Sequence, residues 1–223
     1  MYRYIYMHVA THLKKIILIL IIAGLFCNCE TKREKTEFKK TEFYYPRVSN
    51  FNLETNLTEI YLDSIKNYGE LIKIADQIAC DGKVPLLKFS SDSTEFNLIV
   101  FKECAKKMEI VDYHASNVIS IQKNSIIIND KIEMPFDSLQ LVLRNHILNP
   151  NREFNYSKSI DKALIFYYQD SLLSSKKIQR QLIKIANDFN ELNSKNGDSL
   201  PLKIKLSDYP YIRILNPPLP DEE

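Results

Sequence analysis

Two cysteines almost side by side, Cys27-Asn28-Cys29, are the residues whose type and position most directly specify a chemistry. They close an apolar run, Ile16 to Phe26, that follows Lys14-Lys15 and stops abruptly at Glu30. A basic head before an apolar stretch of about 7–15 residues is the layout of a secretory signal, and a spanning helix needs about 20 such residues. A cysteine ending such a signal predicts a bacterial lipoprotein, whose thiol is acylated and becomes the new N-terminus. Bulky Phe26 directly before Cys27 fits badly at a cleavage site, whereas Cys29 follows Phe26-Cys27-Asn28, with acceptable sizes next to the bond. Cys29 is therefore the expected lipidation site, Cys27 the alternative, and an uncleaved anchor the competing reading. One acyl chain holds a membrane only marginally, so the several chains of a mature lipoprotein are the expected lipid anchor.

The other reactive side chains are sparse. Cys80 and Cys104 have no CxxC spacing and no nearby histidine, which argues against zinc. In an oxidising periplasm they are a candidate disulfide; two separate buried thiols are the alternative. His114 follows Asp112-Tyr113 and could form an orienting pair with Asp112, yet no Ser or Cys nucleophile stands beside it. His146 sits near a helix C-terminus, where a cation meets the dipole favourably, and reads as structural. Asp92 with Glu95, and Asp198 with Asp208, show no pattern of shared burial. Lys176-Lys177 with Arg180 makes a basic helix face, either solvent-facing or a partner contact. No catalytic residue, metal site or cofactor is predicted.

Composition narrows the classes further. The formal net charge is +2, and a cleaved signal removes Arg3, Lys14 and Lys15 but no acid, leaving a nearly neutral chain with no electrostatic case for nucleic acid. Four glycines and no tryptophan argue against phosphate-cradling loops and a carbohydrate-stacking platform.

The elements that must position these residues follow from periodicity. Residues 1–28 are the signal, and 29–50, charged and poor in aliphatics, read as the lipidated Cys and a flexible tether. A first α/β unit spans 51–115: a strand at Ile60 and Leu62, a helix from Tyr68 to Ala79 ended by Gly82, and a strand Val84–Phe89 whose Pro85 belongs at its start or at an edge. A second helix, from Glu95 to Met108, is expected behind Ser93 or Thr94 as N-cap, and a short strand at Glu109–Tyr113. A second unit spans 116–215. It opens with a hairpin, Val118–Gln122 and Ser125–Ile128, turning at Lys123-Asn124. A helix entered through Pro135 and stopped at Asn149-Pro150 follows, then the strand Ala163–Tyr168 and the longest helix, capped by Ser174 or Ser175. Strands at Leu202–Leu206 and Tyr211–Leu215 close it, and 216–223 is a Pro-rich acidic tail. The predicted class is α/β: a mixed sheet with helices packed on it, or two repeated strand–helix–strand–helix–strand units.

The second unit resembles the periplasmic domain of the ExbD/TolR family. Ile119-Ser120-Ile121 and Ile126-Ile127-Ile128-Asn129-Asp130 stand where that family has its opening two-strand hairpin. Pro135–Leu148, Leu164–Tyr168, Gln169-Asp170, Ser174–Leu192 and Leu202–Leu206 then follow the family's order of helix, strand, turn with a basic residue and an Asp, long helix and final strand. Val84–Met108 also resembles its strand–turn–helix unit. The family's transmembrane helix carries an essential acid in a proton pathway; Ile16–Phe26 has none. The resemblance therefore implies a non-catalytic, periplasm-facing accessory of an envelope transport or energy-transduction system, with ExbB-, ExbD- or TonB-like proteins as partners. A homodimer stays open, sheet-edge pairing is the expected contact, and no functional residue carries over. A small-ligand receptor or enzyme with a site between the two units is the rival reading.

Overall fold

A computed structural model describes residues 41–45, 56–107, 113–197 and 199–210, and among these residues there are two mixed sheets and three α-helices. The mixed α/β class read from the sequence is what the chain adopts. The signal region with Cys27 and Cys29, Asp112, Asp198, most of the expected strand Glu109–Tyr113, the expected strand Tyr211–Leu215 and the tail lie outside the described residues.

The first sheet contains β1 (Thr41–Tyr45), β2 (Leu57–Tyr61), β3 (Val84–Ser91) and β4 (Thr94–Ile99), in the order β1-β4-β3-β2. Helix α1 (Tyr68–Cys80) connects β2 to its parallel neighbour β3. Asn67 caps this helix by accepting from the Glu70 N–H, and Gly82, at φ +74°, takes the left-handed conformation beyond its end. Pro85 is tolerated at the second position of an interior strand because it stands at the strand's start.

Two expectations fail here. Thr41–Tyr45, inside the segment read as tether, pairs in parallel with β4; its Thr, Phe and Tyr residues are strand formers. Where a helix is expected from Glu95 to Met108, residues 95–99 belong to strand β4, antiparallel to β3, and beyond them the described residues hold only a short 3-10 turn at Ala105–Lys107. Ser93 and Thr94 cap nothing: Asp92, at φ +48°, and Ser93 form a hairpin turn. Phe96, Ile99 and Val100 fit a helical stripe, but Phe96, Leu98 and Val100 fit a period of two equally well, and these three are the ones in the main core. With that helix gone, the first half runs strand–helix–strand–strand, so the repeat between the halves goes with it.

The second sheet contains β5 (Val118–Gln122), β6 (Ser125–Ile128), β7 (Ile132–Pro135), β8 (Leu164–Tyr168) and β9 (Ile204–Leu206), ordered β7-β6-β5-β8-β9. Helices α2 (Leu139–Leu148) and α3 (Ser175–Ser194) follow β7 and β8. Asn149, at φ +38°, ends α2 where the sequence places its stop. Strand β7 was not expected. It is short and largely exposed, too weak a pattern to separate from the helix entry that follows.

One apolar core runs under both sheets, from Leu71 and Leu87 through Ile119 and Ile121 to Leu182 and Phe189. Phe101 continues past β4 to bridge β9, exchanging backbone hydrogen bonds of 2.8 Å with Ile204 and Leu206. The start of α1 is zipped to the segment before α3 by Tyr68 N–H to Leu173 O and Gly69 N–H to Ser171 O, both 2.9 Å. A Cβ at Gly69 would sit 3.2 Å from Ser171 O, tighter than ordinary contact, so a side chain there would have to push the loop back by a few tenths of an ångström. No described helix is long and apolar enough to cross a membrane.

Candidate functional site

Strands β5 and β8 are adjacent and parallel, and their C-terminal ends are where the connections part: β5 turns back into β6, while β8 leads through α3 to β9. In open α/β sheets a crevice outside the carboxyl ends at such a divergence is where ligands bind. A cavity of about 450 Å³ lies there, lined by Lys123, Gln169, Asp170, Leu173, Lys177 and Arg180, among others.

Each lining group has a local reason for its position. Lys123 occupies the β5–β6 turn at φ +54°, and its carbonyl accepts from Gln181 Nε2 at 2.6 Å. Gln181 Oε1 in turn accepts from the Tyr167 hydroxyl at 2.6 Å, so one buried amide locks turn, strand β8 and helix α3 together. Asp170 Oδ1 accepts the Leu172 N–H at 2.8 Å and shapes the loop into α3. Lys177 and Arg180 stand one helical turn apart near the start of α3, both exposed, and like Lys123 they form no ion pair with any described residue. Gln169 is 2% exposed. Its Nε2 reaches Ile121 O at 3.4 Å, and its Oε1 has no hydrogen-bond partner.

A second basic group has the opposite character. Lys102, its side chain 6% exposed, lies 3.2 Å from Asp208 and 3.7 Å from Asp76. Lys205 bonds Glu103 at 2.6 Å and lies over the rings of Tyr113 and Phe166, at 4.7 and 5.0 Å from their centroids. Burial and the Glu103 carboxylate push the Tyr113 hydroxyl up to about 12, keeping it the donor in its 3.2 Å bond to Glu103.

The residues singled out from the sequence are dispersed. Cys80 and Cys104 are disulfide-bonded, Cα–Cα 4.6 Å, tying the end of α1 to the segment after β4. Asp76 lies with both sulfurs in a cluster within 4.8 Å, but the disulfide occupies the sulfurs, and Asp76 accepts from Ala105 N–H at 2.7 Å. His114 is exposed, and its expected partner Asp112 lies outside the described residues. His146 is not the cation expected at a helix end. It is fully buried, burial holds it down to about 4, and Leu164 N–H donates to its Nε2 at 3.2 Å. Neither histidine bonds a Ser or Cys side chain among the described residues.

Of the cavity residues, only Lys177 and Arg180 were visible as a basic face. Gln181 had a readable signal, a polar residue on the apolar stripe of Ile178, Leu182 and Ile185. Gln169 had none. Comparison with protein families, with curated proteins and with solved structures finds no match for this chain.

Proposed function

We propose that this chain is a non-catalytic lipoprotein of the bacterial cell envelope, anchored through Cys29, whose ExbD/TolR-like domain faces the periplasm and binds another envelope protein. The observation that carries this reading is the order of elements from 118 to 206: hairpin β5–β6, β7, α2, β8, α3, β9. Apart from the short β7, this is the hairpin, helix, strand, long helix and strand that the resemblance calls for over the same residues. Proton conduction is not part of the proposal, because Ile16–Phe26 contains no acid.

The geometry also refines how a partner would be held. Phe136 N–H bonds Asn124 O, which sets the phase of the β6–β7 ladder. Ile132 and Met134 therefore spend their backbone groups on β6, and Glu133 and Pro135 turn theirs outward. Pro135 has no N–H to offer, so β7 is a blunted edge for strand addition. The cavity beyond β5 and β8 is the better-furnished contact.

Crosslinking in living cells, purification through a C-terminal tag and mass spectrometry test the reading. Recovery of ExbB-, ExbD- or TonB-like subunits is expected. Their absence at good bait yield would overturn the envelope-accessory role.

A further inference from the structure

We infer that the cavity at the ends of β5 and β8 is a binding site for an acidic peptide segment, with carboxylates drawn to Lys177, Arg180 and Lys123 and a backbone N–H donated to Gln169. The inference goes beyond the envelope reading and does not depend on lipidation.

Three independent observations converge. The first is charge: three cations and one carboxylate, Asp170, line the cavity, and none of the cations is neutralised by a described partner. Lys102 and Lys205, the two sheltered lysines near β9, are by contrast each paired with a carboxylate. The second is the N-terminus of the 20-residue helix α3, whose Ser174 N-cap makes no side-chain bond to the helix. The backbone supplies acceptors for the Ser175, Lys177 and Ile178 N–H groups, and the helix dipole at this end adds to the positive field. The third is a polar group that the fold leaves unsatisfied in the cavity wall: Gln169 Oε1 is closed off in the resting structure, and its amide must turn toward the cavity to meet a donor. Gln169 is 98% buried, judged from its 2% exposure, and an unpaired acceptor so placed costs about 1–3 kcal/mol.

The two kinds of demand select the ligand. Lysine and arginine ask for an anion, and Gln169 Oε1 asks for a donor. A fully ionised inorganic anion supplies acceptors only. A peptide bearing Asp or Glu supplies carboxylates and N–H groups a few ångströms apart. The volume, about 450 Å³, sits within the roughly 300–1,000 Å³ of ordinary ligand pockets and holds a short stretch of such a chain rather than a domain. Leu173, half-buried in the wall, offers an apolar contact for the peptide's stem atoms.

The frame is built to hold that arrangement. Gln181 fixes Lys123 from one side, and the Tyr68 and Gly69 backbone bonds to Leu173 and Ser171 fix the loop on the other. A larger cavity, about 540 Å³ between α2 and the end of α3, is less charged: its Glu191 and Lys195 pair at 2.7 Å, which leaves Arg144 as its cation without an ion pair among the described residues.

The test is fluorescence anisotropy of the full chain with a labelled Ala-Glu-Asp-Glu-Ala peptide, its Ala-Gln-Asn-Gln-Ala counterpart, and inorganic sulfate as competitor. The acidic peptide is expected to bind at least tenfold more tightly than the neutral one. Lys177→Gln and Arg180→Gln should each weaken it three- to tenfold and flatten its salt dependence. Gln169→Leu should weaken it with the salt dependence unchanged. Lys102→Gln, at the paired cluster, should leave affinity within twofold. Equal binding of the two peptides, or sulfate competing as well as unlabelled acidic peptide, would overturn the inference; so would unchanged affinity in the Lys177 and Arg180 variants, which are exposed and do not threaten the fold. The assay uses no membrane and no partner, so its failure leaves the envelope reading standing, and failed crosslinking leaves the site standing.

Discussion

The molecule carries two basic clusters and treats them in opposite ways. Around Lys102 and Lys205 every ammonium has a carboxylate, and Tyr113 and Phe166 cover what remains. Around Lys177, Arg180 and Lys123 no described carboxylate is paired with a cation, and a buried amide is left with an unpaired acceptor. A charge taken out of water must be compensated within the fold, whereas one left at a cavity mouth is compensated by solvent until a ligand arrives. The difference separates a cluster that fastens the chain from one that faces a binder.

The fastened cluster should fail hardest when its tether is cut. The disulfide joins residues 24 apart and secures the segment that carries Lys102 and Glu103 to α1. By loop-closure entropy, Cys104→Ser is expected to cost about 3 kcal/mol, read as a lowered urea midpoint under oxidising conditions. Affinity for the acidic peptide at 25 °C, where the variant remains folded, should stay within twofold. A large loss of affinity with small loss of stability would invert the comparison.

A comparable effect comes from pH, and both clusters must be measured against it. His146 takes up a proton near 6.5 when unfolded and only at about 4 when folded, because burial disfavours the imidazolium. Between those values the unfolded chain binds more protons, so stability falls as pH drops through that window and levels off below it. Across the gap the loss is roughly 3 kcal/mol, at about 1.36 kcal/mol per pH unit. Denaturant titrations from pH 7.5 to 4 should show it, and His146→Phe should remove that part of the slope. An unchanged slope in the variant would place the acid sensitivity elsewhere.

The two clusters also differ in how far the sequence disclosed them. Helices α1 and α3 and the β5–β6 hairpin were legible because their periodicities run over enough residues to exclude the other period. Strand β4 was not, since Phe96, Ile99 and Val100 satisfy a helical stripe locally and only pairing with β3 decides the matter. The paired cluster joins residues as far apart as Asp76, Lys102, Glu103 and Lys205, a juxtaposition that tertiary contact creates and no local spacing encodes. The cavity was half visible: Lys177 and Arg180 share a helix face, but Lys123 and Gln169 reach them only because β5 and β8 end side by side.

Within the fastened cluster, removing a single charge should cost less than cutting its tether. Lys205→Met leaves Glu103 without its ion-pair partner and Tyr113 without the cation over its ring. A fully buried pair broken this way costs about 3–5 kcal/mol, but the Glu103 side chain is 34% exposed and water recovers part of that. About 2 kcal/mol is expected, again with no change in peptide affinity.

The same operation at the open cluster should do almost nothing to stability. Lys177 and Arg180 lie one turn apart on α3 with like charge and no pairing carboxylate among the described residues, near a helix end whose dipole already repels cations. Lys177→Ala with Arg180→Ala removes that repulsion and trades both side chains for the best helix former, so the unfolding midpoint should hold within about 0.5 kcal/mol or rise. Peptide binding should fall at least tenfold in the same protein. Loss of stability without loss of binding would make these cations structural, like Lys102 and Lys205, and would erase the distinction between the clusters. Loss of binding at unchanged stability is the signature of charge held in reserve for a ligand.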